Sequence, residues 1–268
     1  MKCLVTGCAG FIGSTLTDRL LADGCEVIGI DSFTSFYETD AKRRNLASAN
    51  SHPRFHLAEI DLVDDDLAPL LEGVDIVYHI AGQPGVRGCW GDHFAPYARN
   101  NIRATERLLH HCVGRPLKRF VFAGSSSIYG DAPDLPWKES TCPAPRSPYA
   151  ITKLASEHLC QSYQQEFAVP TAIVRYFTVY GPRQRPDMAF NRFFQAILAD
   201  QPITLYGDGK QTRDFTYVDD IVAGTIAAAQ TPGAEGGVFN LGGGSRITMN
   251  ELFALLEEVV GRHITIER

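Results

Sequence analysis

The chain has no cluster of basic residues: 25 Lys and Arg are outnumbered by 31 Asp and Glu, for a net charge of -6. That balance makes nucleic acid and anionic membranes poor partners, so any phosphate must be held by local groups. No stretch approaches the ~20 apolar residues of a membrane helix. The apolar run after Lys2 meets Gly7, Gly10 and Gly13 at once, so no signal peptide is expected. Seven cysteines form an odd set with no C-x-x-C pair, the pattern of reduced core thiols in a cytoplasmic protein. Cys142, just ahead of Tyr149, is the thiol nearest the candidate chemistry. No internal repeat or low-complexity segment is present, and no metal site is expected.

What is present is a chain of 268 residues, long enough for one large or two small domains that bury roughly three quarters of the unfolded surface. Residues 2–6 read as a strand and 12–23 as a helix. Between them runs Gly7-Cys8-Ala9-Gly10-Phe11-Ile12-Gly13. Strand, glycine turn and helix make the dinucleotide fingerprint: the backbone approaches a pyrophosphate, and the helix N-terminus offers free N–H groups. A second strand, 25–30, ends at Asp31, placed to accept the adenosine ribose hydroxyls. Ser32 follows where an NADP reader more often has arginine, which favours NAD.

Strand–helix alternation continues, with strands at 54–58, 75–80, 119–123 and 171–175 and helices at 94–113 and 149–167. Asp61-Leu62 is placed to border the adenine. Ala81-Gly82-Gln83 follow the fourth strand with little bulk, suited to a cofactor pressed on the backbone. The fold class is α/β, a doubly wound parallel sheet, with residues 1–176 as the dinucleotide-binding domain. After Tyr176 the pattern loosens, and 177–268 reads mostly as a smaller substrate lobe, with 238–241 a candidate to return to the sheet. Asp64-Asp65-Asp66 reads as a helix start.

Tyr149-Ala150-Ile151-Thr152-Lys153 places a phenol and an ammonium one helical turn apart. A free tyrosine titrates near ~10, so ionisation at neutral pH needs ~4 kcal/mol of help. One cation at contact distance, at an effective dielectric of ~20, supplies about that much. Lys153 is the expected cation. Ser125 lies in Gly124-Ser125-Ser126-Ser127 at the C-terminal end of a strand, where open α/β sheets place ligands.

With these residues assembled, the chain resembles the extended short-chain dehydrogenase/reductases, specifically the NAD-dependent nucleotide-sugar epimerases and dehydratases. The likeness rests on the glycine turn, Asp31, Asp61-Leu62, Ser125 to Gly130, Tyr149 and Lys153, Arg175-Tyr176-Phe177, and Arg213-Asp214-Phe215 with Asp219-Asp220. It implies Ser125, Tyr149 and Lys153 as the catalytic three. It also implies that Phe11, Ile12, Ala81, Gly82, Asn100, Tyr176 and Phe177 line NAD, and that Arg213 clasps the diphosphate of a UDP-sugar. A homodimer through the helices at 94–113 and 149–167 is implied as well.

Within that superfamily, the Asp-Glu pair of the dehydratases, and the glutamate of the decarboxylases, are replaced by Ser126 and Ser127. Thr178 stands where UDP-glucose 4-epimerases carry asparagine. Residues 181–189, Gly-Pro-Arg-Gln-Arg-Pro-Asp-Met-Ala, are similar to the loop of UDP-glucuronate 4-epimerases, as are 35–43 and 83–87. A hexuronic acid needs a carboxylate site, and an arginine fork suits it. Arg185 is the candidate, with Arg87 as a second cation and Ser126, Ser127 and Thr178 as hydroxyl partners. Rival readings are a UDP-glucose 4-epimerase, a UDP-glucuronate decarboxylase, and a non-catalytic NAD sensor.

Overall fold

The computed structural model describes every residue except Asp134, Ser245 and Arg268. The chain begins β1 (Lys2–Thr6), α1 (Phe11–Ala22), β2 (Glu26–Ile30), α2 (Thr39–Asn45), α3 (Ala47–Asn50) and β3 (Phe55–Ala58). It continues β4 (Ile76–His79), α4 (Phe94–Tyr97), α5 (Ala104–Cys112), β5 (Arg119–Ser125), α6 (Pro148–Phe167) and β6 (Thr171–Tyr176). Seven strands form one parallel sheet, in the order Val238–Leu241, β6, β5, β4, β1, β2, β3. The order reverses between β1 and β4, and there the two carboxyl ends part to leave a crevice.

Strand residues alternate between two apolar layers, as side chains on a pleated sheet must. Cys3, Val5 and Val27 pack toward Leu16 and Leu20 of α1 and Ile221 and Val222 of a later helix. Leu4, Val77, Phe120 and Phe122 pack on the other side with Leu108 and Leu109 of α5. Both faces are covered, so the strands read as continuous apolar runs.

Beyond β6 the elements are β7 (Thr178–Tyr180), α7 (Ala189–Leu198), β8 (Ile203–Thr204), β9 (Thr212–Arg213), β10 (Phe215–Tyr217) and α8 (Val218–Gln230). Then come β11 (Val238–Leu241), β12 (Ile247–Thr248), α9 (Met249–Val260) and β13 (Ile266–Glu267). A separate small core gathers Ile197, Ile203, Leu205, Leu252, Phe253 and Leu256. Thr248 opens α9 with a capping box, exchanging hydrogen bonds with Glu251. β11 is the edge strand of the main sheet, paired with β6.

One expectation is refined and one is corrected. The helix expected at 94–113 runs unbroken from α4 through α5, with a π-helical turn at Ala98–Arg103 inside it. At that turn lies Asn101, whose carbonyl accepts from the hydroxyls of both Thr105 and Ser156. Its amide binds Gln83 and Thr152. Bulges of this kind gather at working sites. Asp64-Asp65-Asp66 begins no helix. Asp65 accepts from the Asp61 N–H at 2.7 Å and Asp64 takes Arg99 at 2.6 Å, closing a turn instead.

Candidate active site

The main cleft opens at the carboxyl ends of β1, β2, β4 and β5. Its floor is the glycine turn. Gly7 has φ +69°, and a Cβ there would lie 2.9 Å from Ala81 backbone; one on Gly13 would lie 2.0 Å from the Gly7 carbonyl. Only glycine permits this closeness of turn, helix and neighbouring loop. Gly10 stands before α1 with no side-chain cap, so the first N–H groups of α1 face the cleft, as an anion requires. Asp31 is fixed by the Ala9 N–H at 3.2 Å and the Phe33 N–H at 2.8 Å, with buried Lys42 3.5 Å away. The buried hydroxyl of Tyr37, on the cleft wall, has no partner among the described residues. A glycine cradle, a helix N-terminus, an oriented carboxylate and an orphaned hydroxyl together fit a dinucleotide.

Of the residues expected to line the coenzyme, Gly7, Gly10, Phe11, Ile12, Gly13, Asp31, Ser32, Asp61, Leu62, Ala81, Gly82, Gln83, Asn100 and Tyr176 border the cleft. Phe177 does not: its ring lies beside Trp137, centroids 6.4 Å apart. Asp61 is held by Arg99 at 2.9 Å and by the Val63 N–H at 2.7 Å. Lys42, Thr34, Phe36 and Tyr37 also border the cleft. The sequence singled out 35–43 only by its likeness to the family and gave these residues no role, since Thr34, Phe36 and Tyr37 lie in a stretch without periodic signal and Lys42 on the short α2.

Tyr149 and Lys153 enter from α6. Ser147 caps that helix by accepting the Ala150 N–H at 3.1 Å, and Pro148 occupies its first turn, so Tyr149 sits at the helix start. Lys153 is buried and donates to the Ala123 carbonyl at 2.8 Å, with its Nζ 4.9 Å from the Phe122 ring centroid. Burial pushes its pKa down to about 8, opposed by Glu157 and then Cys160. Ser125 ends β5; its Oγ pairs with the Ser127 hydroxyl at 2.8 Å and accepts the Ser127 N–H at 3.2 Å.

Burial raises the Tyr149 phenol above the ordinary tyrosine value, opposed first by the neighbouring Ser125 hydroxyl and then by the Arg185 charge. The Lys153 ammonium is bonded to the Ala123 carbonyl. Added positive charge in the cleft would lower the phenol.

Among the expected substrate residues, Arg185 borders the cleft, its guanidinium forked on Asp187 at 3.0 Å and 5.8 Å from the Phe36 ring. Ser126 and Ser127 form the turn after β5, and Thr178 begins β7. Arg87 stacks on Tyr206 at 5.2 Å, and exposed Arg213 donates to the Thr212 carbonyl at 2.8 Å. Of these only Arg185 is among the residues bordering the cleft; Ser125, Ser126, Ser127, Thr178, Arg87 and Arg213 are not. Asn101 is a site residue that sequence reasoning missed. It joins Gln83 of the cleft wall to Thr152, between Tyr149 and Lys153.

His79, beneath the cleft at the end of β4, is fully buried between two threonines. Thr105 donates to the Asn101 carbonyl and so accepts from Nε2 at 2.9 Å. In the neutral ring the proton is therefore on Nε2, and Nδ1 accepts from Thr6 Oγ1 at 2.8 Å, whose oxygen also takes the Ala81 N–H. Burial, aided by Lys153, holds its pKa down at about 3.

The seven-stranded parallel sheet, the glycine cradle and the Tyr149/Lys153 pair define the extended short-chain dehydrogenase/reductase class. The chain belongs to the NAD dependent epimerase/dehydratase family, whose model matches residues 3–242. It is 47% identical over 267 residues to a Bacillus subtilis (strain 168) protein described as an uncharacterized UDP-glucose epimerase, YtcB, spanning 99% of this chain and 84% of that one. It is 38% identical over 265 residues to the UDP-glucuronate 4-epimerase of Thermodesulfobacterium geofontis (strain OPF15), spanning 97% of this chain and 80% of that protein. Its fold matches the crystal structure of Bacillus cereus UDP-glucuronic acid 4-epimerase, in complex with UDP-glucuronic acid and NAD. That match has a TM-score of 0.96 at 45% identity and covers 100% of this chain and 85% of that one.

Proposed function

We propose that this protein is an NAD-dependent UDP-sugar 4-epimerase that interconverts UDP-glucuronate and UDP-galacturonate. The observation that carries the reading is Arg185, a guanidinium bordering the same cleft as Tyr149 and Lys153. Two relatives named for action on UDP-glucuronate support it.

NAD, when bound, would supply reversible hydride-transfer chemistry at the sugar C4. The chain's own residues handle the proton. Tyr149 takes it from O4 and gives it back, with the Ser125 hydroxyl acting on the same phenol to ease its ionisation. Lys153, a buried cation bonded to the Ala123 carbonyl, would ease ionisation of the phenol in concert with the positive charge of the bound coenzyme. Asp31 receives the adenosine ribose and the glycine turn the pyrophosphate.

The 4-keto uronate is a β-keto acid, which loses carbon dioxide when its carboxylate bond stands perpendicular to the ketone plane. Arg185, with the hydroxyls of Ser126, Ser127 and Thr178, holds that carboxylate out of this alignment. To do so the substrate displaces Asp187 from the guanidinium. Arg213 and Arg87, further out, serve the diphosphate and the rim. We read residues 1–176 as the coenzyme part and 177–268 as mostly the substrate part, in a cytoplasmic homodimer.

Arg185→Ala should lower kcat/KM for UDP-glucuronate by about 10²–10³, the scale of losing one oriented charged donor, and release UDP-pentose detectable by NMR. Unchanged kinetics would remove Arg185 from the site. The name of the Bacillus subtilis relative favours a second reading, an epimerase of UDP-glucose. Turnover of UDP-glucose exceeding that of UDP-glucuronate would establish it.

A further inference from the structure

Two buried charges take no part in the chemistry above: Glu157 on α6, 1% exposed, and Arg175 on β6, 5% exposed. A buried ion pair is a weak source of stability, because desolvation consumes most of the attraction. Its placement is more informative. Glu157 lies one helical turn beyond Lys153, on the same face of α6. A Cβ on Gly124 would sit 2.8 Å from Glu157 Oε1, so the carboxylate rests directly on the backbone of β5. Gly124 is flanked by Ala123, whose carbonyl holds Lys153, and by Ser125.

Arg175 is the register partner of Gly124 in the neighbouring strand. Its Nε donates to both Glu157 oxygens at 3.2 Å and its Nη2 to Oε2 at 2.9 Å. Its Nη1 donates to the Tyr129 hydroxyl at 2.8 Å, and Tyr129 in turn donates to Asn240 Oδ1 on β11 at 2.7 Å. Tyr129 closes the turn that carries Ser126 and Ser127. We propose that the Glu157–Arg175 pair is a positioning device, which pins α6 to the end of β5 and thereby sets Lys153 and Ser125 against Tyr149.

The surrounding charges agree with that placement. Glu157 is the main influence that pulls Lys153 back toward its ordinary value, with Cys160 of α6 adding to it. From β4, His79 faces Lys153 as a neutral ring. Burial pushes the Glu157 carboxyl up, while Arg175, Lys153 and His158 hold it down. Without Glu157 the Lys153 ammonium has its carbonyl acceptor and no carboxylate. The proposal rests on the epimerase reading only for the catalytic need for that cation.

The test is a 13C NMR titration of the lysine side chains in coenzyme-free protein, with the Lys153 signal assigned by its loss in Lys153→Arg. Glu157→Gln is compared with Glu157→Gln/Arg175→Met, which leaves no orphaned charge and keeps the variant testable if the single change fails to fold. In the folded double variant the Lys153 midpoint should fall by about one pH unit or more, which lowers its protonated fraction at pH 8 about fivefold. The alkaline limb of kcat should move with it. An unmoved Lys153 titration in the folded double variant overturns the proposal, whatever the activity. A titration that moves while the kcat profile stays in place supports the pairing and counts against a catalytic Lys153.

Discussion

Lys153→Met separates what the lysine does for catalysis from what it does to the fold. Folding carries this ammonium into a site only 6% exposed. Its folded pKa of about 8 against 10.5 for an ordinary lysine corresponds to ~3 kcal/mol. The sign follows from proton counts. Below pH 8 folded and unfolded chains both carry the proton, so the wild type bears the full cost of burying the charge. Between pH 8 and 10.5 the unfolded chain holds more protons, so the wild type gains stability as pH rises. Methionine fills the same channel without a charge and does not titrate. The stability of Lys153→Met minus that of the wild type should therefore fall by ~3 kcal/mol across this interval. The hydrogen bond to Ala123 sets the offset of that difference, at roughly 1.5–3 kcal/mol for a charged donor, and leaves its slope alone. Urea unfolding of both coenzyme-free proteins at pH 7.5, 9 and 10 measures the slope. A difference that stays flat from pH 7.5 to 10 would refute a desolvated Lys153.

His79 gives the opposite test on the acid side. Its folded pKa is depressed to about 3, so stability is lost as pH falls below ~6.5, with a ceiling on the order of 5 kcal/mol. His79→Gln should flatten that part of the unfolding curve, and parallel curves would refute the neutral ring. Gly13→Ala places a methyl 2.0 Å from the Gly7 carbonyl, where only backbone could move. It should cost about 1–3 kcal/mol of stability and abolish retention of NAD through gel filtration; wild-type retention would disprove the cradle.

The parts of the site legible in the sequence were those written in contiguous residues. Gly7, Gly10 and Gly13 announce a turn because their spacing has one use, and Tyr149 and Lys153 share a helix face by arithmetic. Asp31 falls at the end of a strand whose apolar run is plain. Partnerships across the chain were not legible. Asn101, in the π-helical turn, bonds Gln83 and Thr152, 18 and 51 residues away. Nothing in a window around Asn101 signals either bond. Glu157 and Arg175 meet only because β6 lies beside β5. The Tyr149 environment was only partly legible for a related reason. Spacing places Lys153 near the phenol, but the Ala123 carbonyl decides where the ammonium points. The part of the chain after β6 was legible as helices more than as strands, since β8, β9, β12 and β13 are two residues each and carry no period.

The central claim is that hydrogen leaves C4 of a uronic acid and returns to the same carbon without meeting solvent. UDP-glucuronate deuterated at C4, incubated with the purified protein and no added NAD, tests it directly by NMR of the product. Retention of the label in UDP-galacturonate is the predicted result. Loss of deuterium to water during epimerisation would contradict it.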